Sequence, residues 1–415
     1  MQIINSDLLL FIFIMTQKCI IIGAGASYGY DSDMIEEEKP PLGKDVLRRA
    51  VEIGALTEWK YPMISSTLKD YANKFTKDSE KFSNIDIEEY LEYLAYQLVK
   101  IDTKIDSNNP PYSKEQLDTV LSQFQNDFEE TWSKIKNEIR SNSDPNYIIR
   151  RISGKLQSAI GESWYLMFEV FKKYSLAYRP NLDAYQRLVL SHIRDDYNVV
   201  SLNYDVLFEM AAIASGMIFQ YPPENSSIVN NFQLVDPRKI IKIAKVHGSI
   251  NWLNSYSRGI SLGSGKERGY RLMRIVSGLI YTNRVQMEPI VTINPLQLQQ
   301  IDIQDILLSG TKYYEPALLP PVGKYKDYQK VKYFESNWKA AEGYVKSSDE
   351  LVFIGTSIRD QDTKLREMIE MNVTKSVKIT VVGSREAEPK IRKILDNKIS
   401  DLCFYCNFEE YAKQL

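Results

Sequence analysis

Apolar positions along the chain follow two different periods. KCIII (18–22) is a short β-branched run with no polar alternation, ending at a glycine, which is the pattern of a strand buried on both faces in a parallel sheet. Similar runs return at YNVVSLNYD (197–205), IIKIAKVHGS (240–249), LVFIGTS (351–357) and VKITVVGS (377–384). Most of them end in a small or polar cluster followed by helical spacing, as in VLFEMAAIAS after the second strand. Strands alternating with helices imply βαβ units and a parallel sheet.

Between the first two strands the period becomes helical. Ile87, Tyr90, Leu91, Leu94, Ala95 and Leu98 recur on one helix face, as do Leu117, Val120, Leu121, Phe124, Phe128, Trp132 and Ile135. A helix is expected to start near Lys44 after PPLGK, and a further helical segment runs from Ile148 to about Tyr178. The expected fold is therefore α/β: a Rossmann-like, mostly parallel sheet flanked by helices, occupying 18–415. It carries a large helical insertion after the first strand, at about 45–195. A less regular covering segment, at about 253–330, ends near PALLPPVGKY.

Residues 1–17 read as an N-terminal extension. LLLFIFIM is too short to span a bilayer, no basic residue precedes it, and no small-residue cleavage site follows. Translation from Met15 would open the chain directly on the first strand, so no membrane association is expected and the location reads as cytoplasmic.

Composition adds exclusions. Charged residues make up 26% of the chain, yet the formal net charge is -2, with no long single-sign run. This balance offers no electrostatic footprint for direct nucleic-acid binding. Three cysteines cannot form a disulfide framework and suit a reducing compartment. Cys403 and Cys406 form one CxxC without a second pair, and only two histidines exist, so no tetrahedral zinc site is expected and the CxxC reads as part of a terminal strand.

Ligands of open α/β sheets bind beyond the carboxyl ends of the strands. GAGAS (23–27), Asn203 and Asp205 of SLNYD, His247 of KVHGS, and GTS (355–357) all fall there. Glycines after a strand let a backbone approach something closely. A phosphate cradle and a tight strand-to-helix turn both satisfy that reading. The third glycine of a dinucleotide fingerprint is displaced, with Tyr28 in its place. Asp205 suits a turn or helix cap, and Asn203 a ligand-facing amide. His247 is suited to proton transfer near neutrality, whereas His192, in the helical LVLSHIRDD, reads as structural.

Taken in order, GAGAS, SLNYD, the HG of KVHGS and the GTS of LVFIGTSIRD resemble the sirtuin family, and in particular its divergent prokaryotic branch of NAD hydrolases acting in antiviral defence against phage. The resemblance implies that Gly23, Ala24, Gly25 and Ser27 hold the pyrophosphate of NAD. It implies that Asn203 and Asp205 face the nicotinamide ribose, with His247 as the base engaging its hydroxyls. Gly355, Thr356 and Ser357 would bind phosphate or adenine ribose, with Asp360 a few residues on and Gly383 and Ser384 near the adenosine.

The deacylating members follow their histidine with a zinc module of two CxxC pairs, but residues 248–402 contain no cysteine here. The implied reaction is thus hydrolysis of NAD, as substrate and without a metal, to nicotinamide and ADP-ribose. It requires Asn203 and His247 to meet across one sugar. A non-catalytic NAD or ADP-ribose sensor is the alternative, and a protein deacylase a weaker one. Unrestrained NAD depletion would harm the cell, so control is expected from homo-oligomerisation or from a separate regulator such as an ATPase or nucleic-acid sensor.

Overall fold

The computed structural model describes residues 17–31, 33–76, 85–102, 113–140, 144–176, 181–222, 236–256, 287–300, 313–318, 332–360 and 362–415. The apolar LLLFIFIM run and Met15 lie outside the described residues, as does most of PALLPPVGKY.

KCIII forms β1 (Lys18–Ile22), the centre of a seven-stranded sheet. On one side β1 pairs with β2 (Tyr197–Ser201), followed by β4 (Ile240–Lys245) and the edge strand β3 (Ile218–Gln220). On the other side it pairs with β8 (Glu350–Ile354), then β9 (Val377–Val382) and β10 (Ile399–Tyr405). Every one of these pairings is parallel, and Ile22 stands opposite both Ser201 and Ile354. The fold is α/β, with a parallel sheet flanked by helices.

Period-two alternation explains why β1 lacks polar residues. Ile20 and Ile22 enter one core with Tyr185 and Leu188, whereas Cys19 and Ile21 enter another with Trp338 and Leu351. Burial of each isoleucine contributes about 1.5–3 kcal/mol. Cys19 is a small hydrophobe, and burial alone pushes its thiol far above the ordinary range. The first core is roofed by α8 (Asp183–Asp195) and α9 (Leu207–Ala214), the second by α10 (Lys332–Ser347), α11 (Thr363–Asn372) and α12 (Ala387–Leu395).

Between β1 and β2 lie α1 (Ala24–Tyr28), α2 (Val46–Glu52), α3 (Pro62–Phe75), α4 (Ile87–Asp102), α5 (Lys114–Asp127), α6 (Glu129–Arg140) and the 32-residue α7 (Pro145–Leu176). Helices α2–α7 share their own core around Leu156, Tyr165 and Phe168. Buried carboxylates lock this layer by capping orphan helix N–H groups. Glu162 of α7 accepts from Met63 and Ile64 N–H at the start of α3, at 2.8 and 2.9 Å. Asp70 of α3 does the same for Glu130 and Thr131 at the start of α6, at 2.7 and 3.1 Å. The layer meets the sheet at Tyr204, Val206 and Ile250, beyond the carboxyl ends of β2 and β4.

The stretch read as an irregular cover contains strands. β5 (Gly248–Tyr256) is flanked antiparallel by β6 (Met287–Thr292) and β7 (Tyr313–Leu318). Pro289 and Pro316 obscured the pattern, since proline counts against a strand reading. Both sit on edge strands, the position where a missing N–H is tolerated. β3 also escaped notice, because three residues are too few to display a period.

Candidate active site

The chain leaves β1 towards β2 and later returns to the opposite flank at β8, so the strand order reverses beside the carboxyl end of β1. Such a switch point opens a crevice between the loops that leave the two strands. Here those loops touch backbone to backbone. Gly23 N–H donates to Ile354 O and Gly25 N–H to Gly355 O, each at 2.9 Å. A Cβ on Gly355 (φ +60°) would fall 1.8 Å from Ala26 N, and one on Gly23 would fall 2.7 Å from Gly355 O. The close approach that the glycines announced is made, in this conformation, to another loop of the same chain. Thr356 is buried, and its hydroxyl donates to Ile21 O and Ile354 O at 3.3 and 3.2 Å.

Beyond β2 the segment 202–206 turns inward. Asn203, 5% exposed, donates through Nδ2 to Ser27 Oγ at 2.8 Å, and that hydroxyl also meets Tyr185 OH at 3.0 Å. The Asn203 Oδ1 atom is buried and finds no hydrogen-bond partner among the described residues. Asp205 accepts the Leu207 N–H at 3.1 Å, the turn-forming role open to it. Burial raises its carboxyl above the ordinary 3.8, against the opposing pull of Lys245 and a bond from Ser27.

Lys245 itself is wholly buried. Its ammonium donates to Asp205 O and lies 2.9 Å from Glu209 Oε1, which also accepts from Tyr221 OH at 2.8 Å. The pair pins the carbonyl of Asp205 and hence the turn that presents Asn203. A lysine inside the apolar run IIKIAK was the available sequence signal, and it went unused.

His247, 3% exposed, lies in the turn that follows the neighbouring strand β4. Its Nε2 lies 2.8 Å from Asp362 Oδ2, and Trp338 meets the ring edge-on at a centroid distance of 6.0 Å. Asp362 caps α11 through the Leu365 N–H. Asn203 follows β2 and His247 follows β4, neighbouring strands whose last paired residues are Ser201 and Lys245. Their side chains nevertheless keep separate company, Asn203 with Ser27 and His247 with Asp362. His192 does what a structural histidine does: its Nδ1 accepts the Tyr197 N–H at 3.2 Å, and its Nε2 lies 3.1 Å from Ile240 O, tying α8 to β2 and β4.

Other expected site residues lie at the crevice rim or outside it. Ser357 and Ser384 are exposed, and the Ser384 hydroxyl accepts the Glu386 N–H at the start of α12. Asp360 is 87% exposed and pairs with Arg366 at 3.0 Å. Gly383 follows β9 with φ +128°. Between Asp360 and Gly355, buried Ile358 holds φ +41°, a conformation that a β-branched residue rarely adopts. Its neighbour Arg359 reaches the helical layer, bonding Asp86 Oδ2 at 2.9 Å and Glu88 Oε2 at 2.6 Å.

Under this tie lies a cavity of ≈ 50 Å³, lined by Ala24, Gly43, Glu88, Phe171, Asn203 and Asp205 among others. Ligand pockets run to about 300–1,000 Å³, so this cavity as it stands is too small for a dinucleotide. A larger hollow of ≈ 290 Å³, lined by Gln97, Lys100, Phe124 and Phe128, lies between α4 and α5. It contains none of the strand-end residues. Among the described residues no cluster of three or more His, Cys, Asp or Glu side chains could hold a metal ion, and no helix is long and apolar enough to cross a membrane.

No family model and no curated protein matches the chain. Among solved structures it is similar to a Sir2 homologue in complex with NAD, with 10% identity over 96% of this chain and 87% of that one, at a TM-score of 0.35. It is also similar to a Sir2 enzyme, with 12% identity over 61% of this chain and 75% of the other, at a TM-score of 0.34. A Sir2 bound to an acetylated peptide gives 12% identity over 57% and 68%, at a TM-score of 0.29. At these values the likeness assigns no role to any residue here.

Proposed function

We propose that this crevice binds NAD and that the protein hydrolyses the nicotinamide–ribose bond, releasing nicotinamide and ADP-ribose. One observation carries the reading. Beyond β2, bonded to Ser27 of the segment that leaves β1, the buried Asn203 carboxamide keeps an oxygen without a partner among the described residues beside a cavity. An unsatisfied buried polar atom costs about 1–3 kcal/mol, and a ligand hydroxyl or the attacking water would satisfy it. The paired His247 beyond the adjoining strand and the motif resemblance support the same reading.

Breaking the glycosidic bond builds positive charge on the ribose. Asn203 would orient the water or the ribose hydroxyls, and His247 would take up the proton. Nicotinamide leaves as a neutral amide, so no strong general acid is required. His247 does not line the small cavity as it stands. Binding must therefore both widen the cavity and bring the imidazole to the ribose. That requirement favours a gated activity, with the trigger supplied by self-assembly or by a regulatory partner. NAD depletion in defence is the role that the motif resemblance suggests for it.

The test is release of nicotinamide from NAD by purified protein, alone and in cell extract. Positioned proton transfer contributes about 10²–10⁴-fold, so His247→Ala should lose turnover by that factor and still bind NAD, and Asn203→Ala should also be impaired. Release at the parent rate by both variants would refute the assignment.

A further inference from the structure

We infer that Asp362 is a positioning residue for His247, fixing the tautomer and orientation of its ring; the inference rests on the proposed reaction for its consequence but not for its geometry. The two groups come from separate parts of the chain, His247 from the turn between β4 and β5 and Asp362 from the loop between β8 and α11. Both are buried, and the Nε2–Oδ2 distance is 2.8 Å. A carboxylate has only lone pairs to offer, so the short contact requires a proton on Nε2. The neutral ring then carries its lone pair on Nδ1, which makes Nδ1 the atom that can accept a proton.

Three further contacts keep the pair in place. The second carboxylate oxygen of Asp362 accepts the Leu365 N–H, anchoring it to the first turn of α11. Trp338 of α10 meets the imidazole edge-on at a centroid distance of 6.0 Å, and the Lys364 ammonium lies 4.6 Å from the centre of the Trp338 ring. Asp362 is thus shared between a helix end and the imidazole, which limits the freedom of both. Asp360, two residues earlier, instead faces solvent and Arg366. Of the two aspartates in RDQD, only Asp362 reaches the histidine.

Asp362→Asn separates the two duties. Asparagine is as good a helix cap as aspartate, so folding is expected to survive, but a neutral amide can present either its oxygen or its NH₂ to the ring. The chain contains two histidines, so imidazole ¹⁵N spectra show two sets of ring nitrogens, and His247→Gln assigns them. In the parent protein His247 should appear as the Nε2–H tautomer. Asp362→Asn, and Asp362→Ser with its shorter capping hydroxyl, should lose that preference. Nicotinamide release should fall by about 10²–10⁴-fold with little change in KM, as expected when a base loses its orienting carboxylate.

His247 nitrogen shifts unchanged in both Asp362→Asn and Asp362→Ser would overturn the inference, as would shifts that change while turnover does not. A parent protein that releases no nicotinamide sinks the proposed reaction instead, and the spectra still decide whether Asp362 sets the ring.

Discussion

Lys245 and Glu209 form an ion pair at 2.9 Å with side chains 0% and 2% exposed. Removing one member of a buried pair strands the other charge, at a cost of about 3–5 kcal/mol. Lys245→Met should therefore unfold at markedly lower urea concentration than the parent. Combining it with Glu209→Leu should restore much of the loss. If the single variant is as stable as the parent, the pair is not stabilising the turn at 202–206.

Among the described glycines, an added methyl would meet its closest contact at Gly355. Its φ of +60° and the 1.8 Å approach to Ala26 N combine backbone strain with a direct clash. Left-handed strain alone costs about 1–3 kcal/mol, so Gly355→Ala should exceed that and yield poorly folded protein. Gly54 (φ +66°), with nothing within 4 Å of an added Cβ, is the control. Gly54→Ala should lose only the strain, about 1–3 kcal/mol. Equal losses at the two sites in thermal melts would remove the clash from the explanation.

The pH dependence of stability has a contribution from His192, whose pKa burial lowers from the ordinary 6.5. The unfolded chain holds this proton more tightly than the folded one, so stability is full above pH 6.5 and declines as pH falls through that value towards the lowered one. Urea midpoints of the parent should drop between pH 7.5 and 5.5, with a shallower drop for His192→Gln. Parallel slopes would place the acid sensitivity elsewhere.

Asp205 has the opposite sign. Burial raises its pKa above 3.8, so its contribution is present below that value and is lost as pH rises through the folded value. Asp205→Asn still accepts the Leu207 N–H through its amide oxygen, and sheds the burden of a buried charge. The variant should gain stability over the parent as pH is raised from 4 to 7. A gain that is constant with pH would mean that ionisation is not its source.

β1 was legible because an apolar run meeting glycine has few other uses, and the helices of the inserted layer because their apolar residues repeat at helical spacing. The antiparallel sheet was not legible, since Pro289 and Pro316 interrupt the pattern that reports a strand. At the candidate site, the strand ends could be located from single segments, but side-chain partnerships could not. Asp362 and His247 are 115 residues apart in sequence, and nothing local tells Asp362 from Asp360. The glycines of GAGAS raised the right question, yet the answer depended on Gly355, far along the chain.

Arg359 stands on a short tether. Towards the N-terminus the chain is clamped at Gly355 against the first loop, and towards the C-terminus Asp362 grips His247. From between these anchors the guanidinium reaches the opening of α4. Beside Arg359 stands Ile358, already bent against its preference at φ +41°. One loop leaving β8 thus holds the helical layer through Arg359 and the imidazole through Asp362.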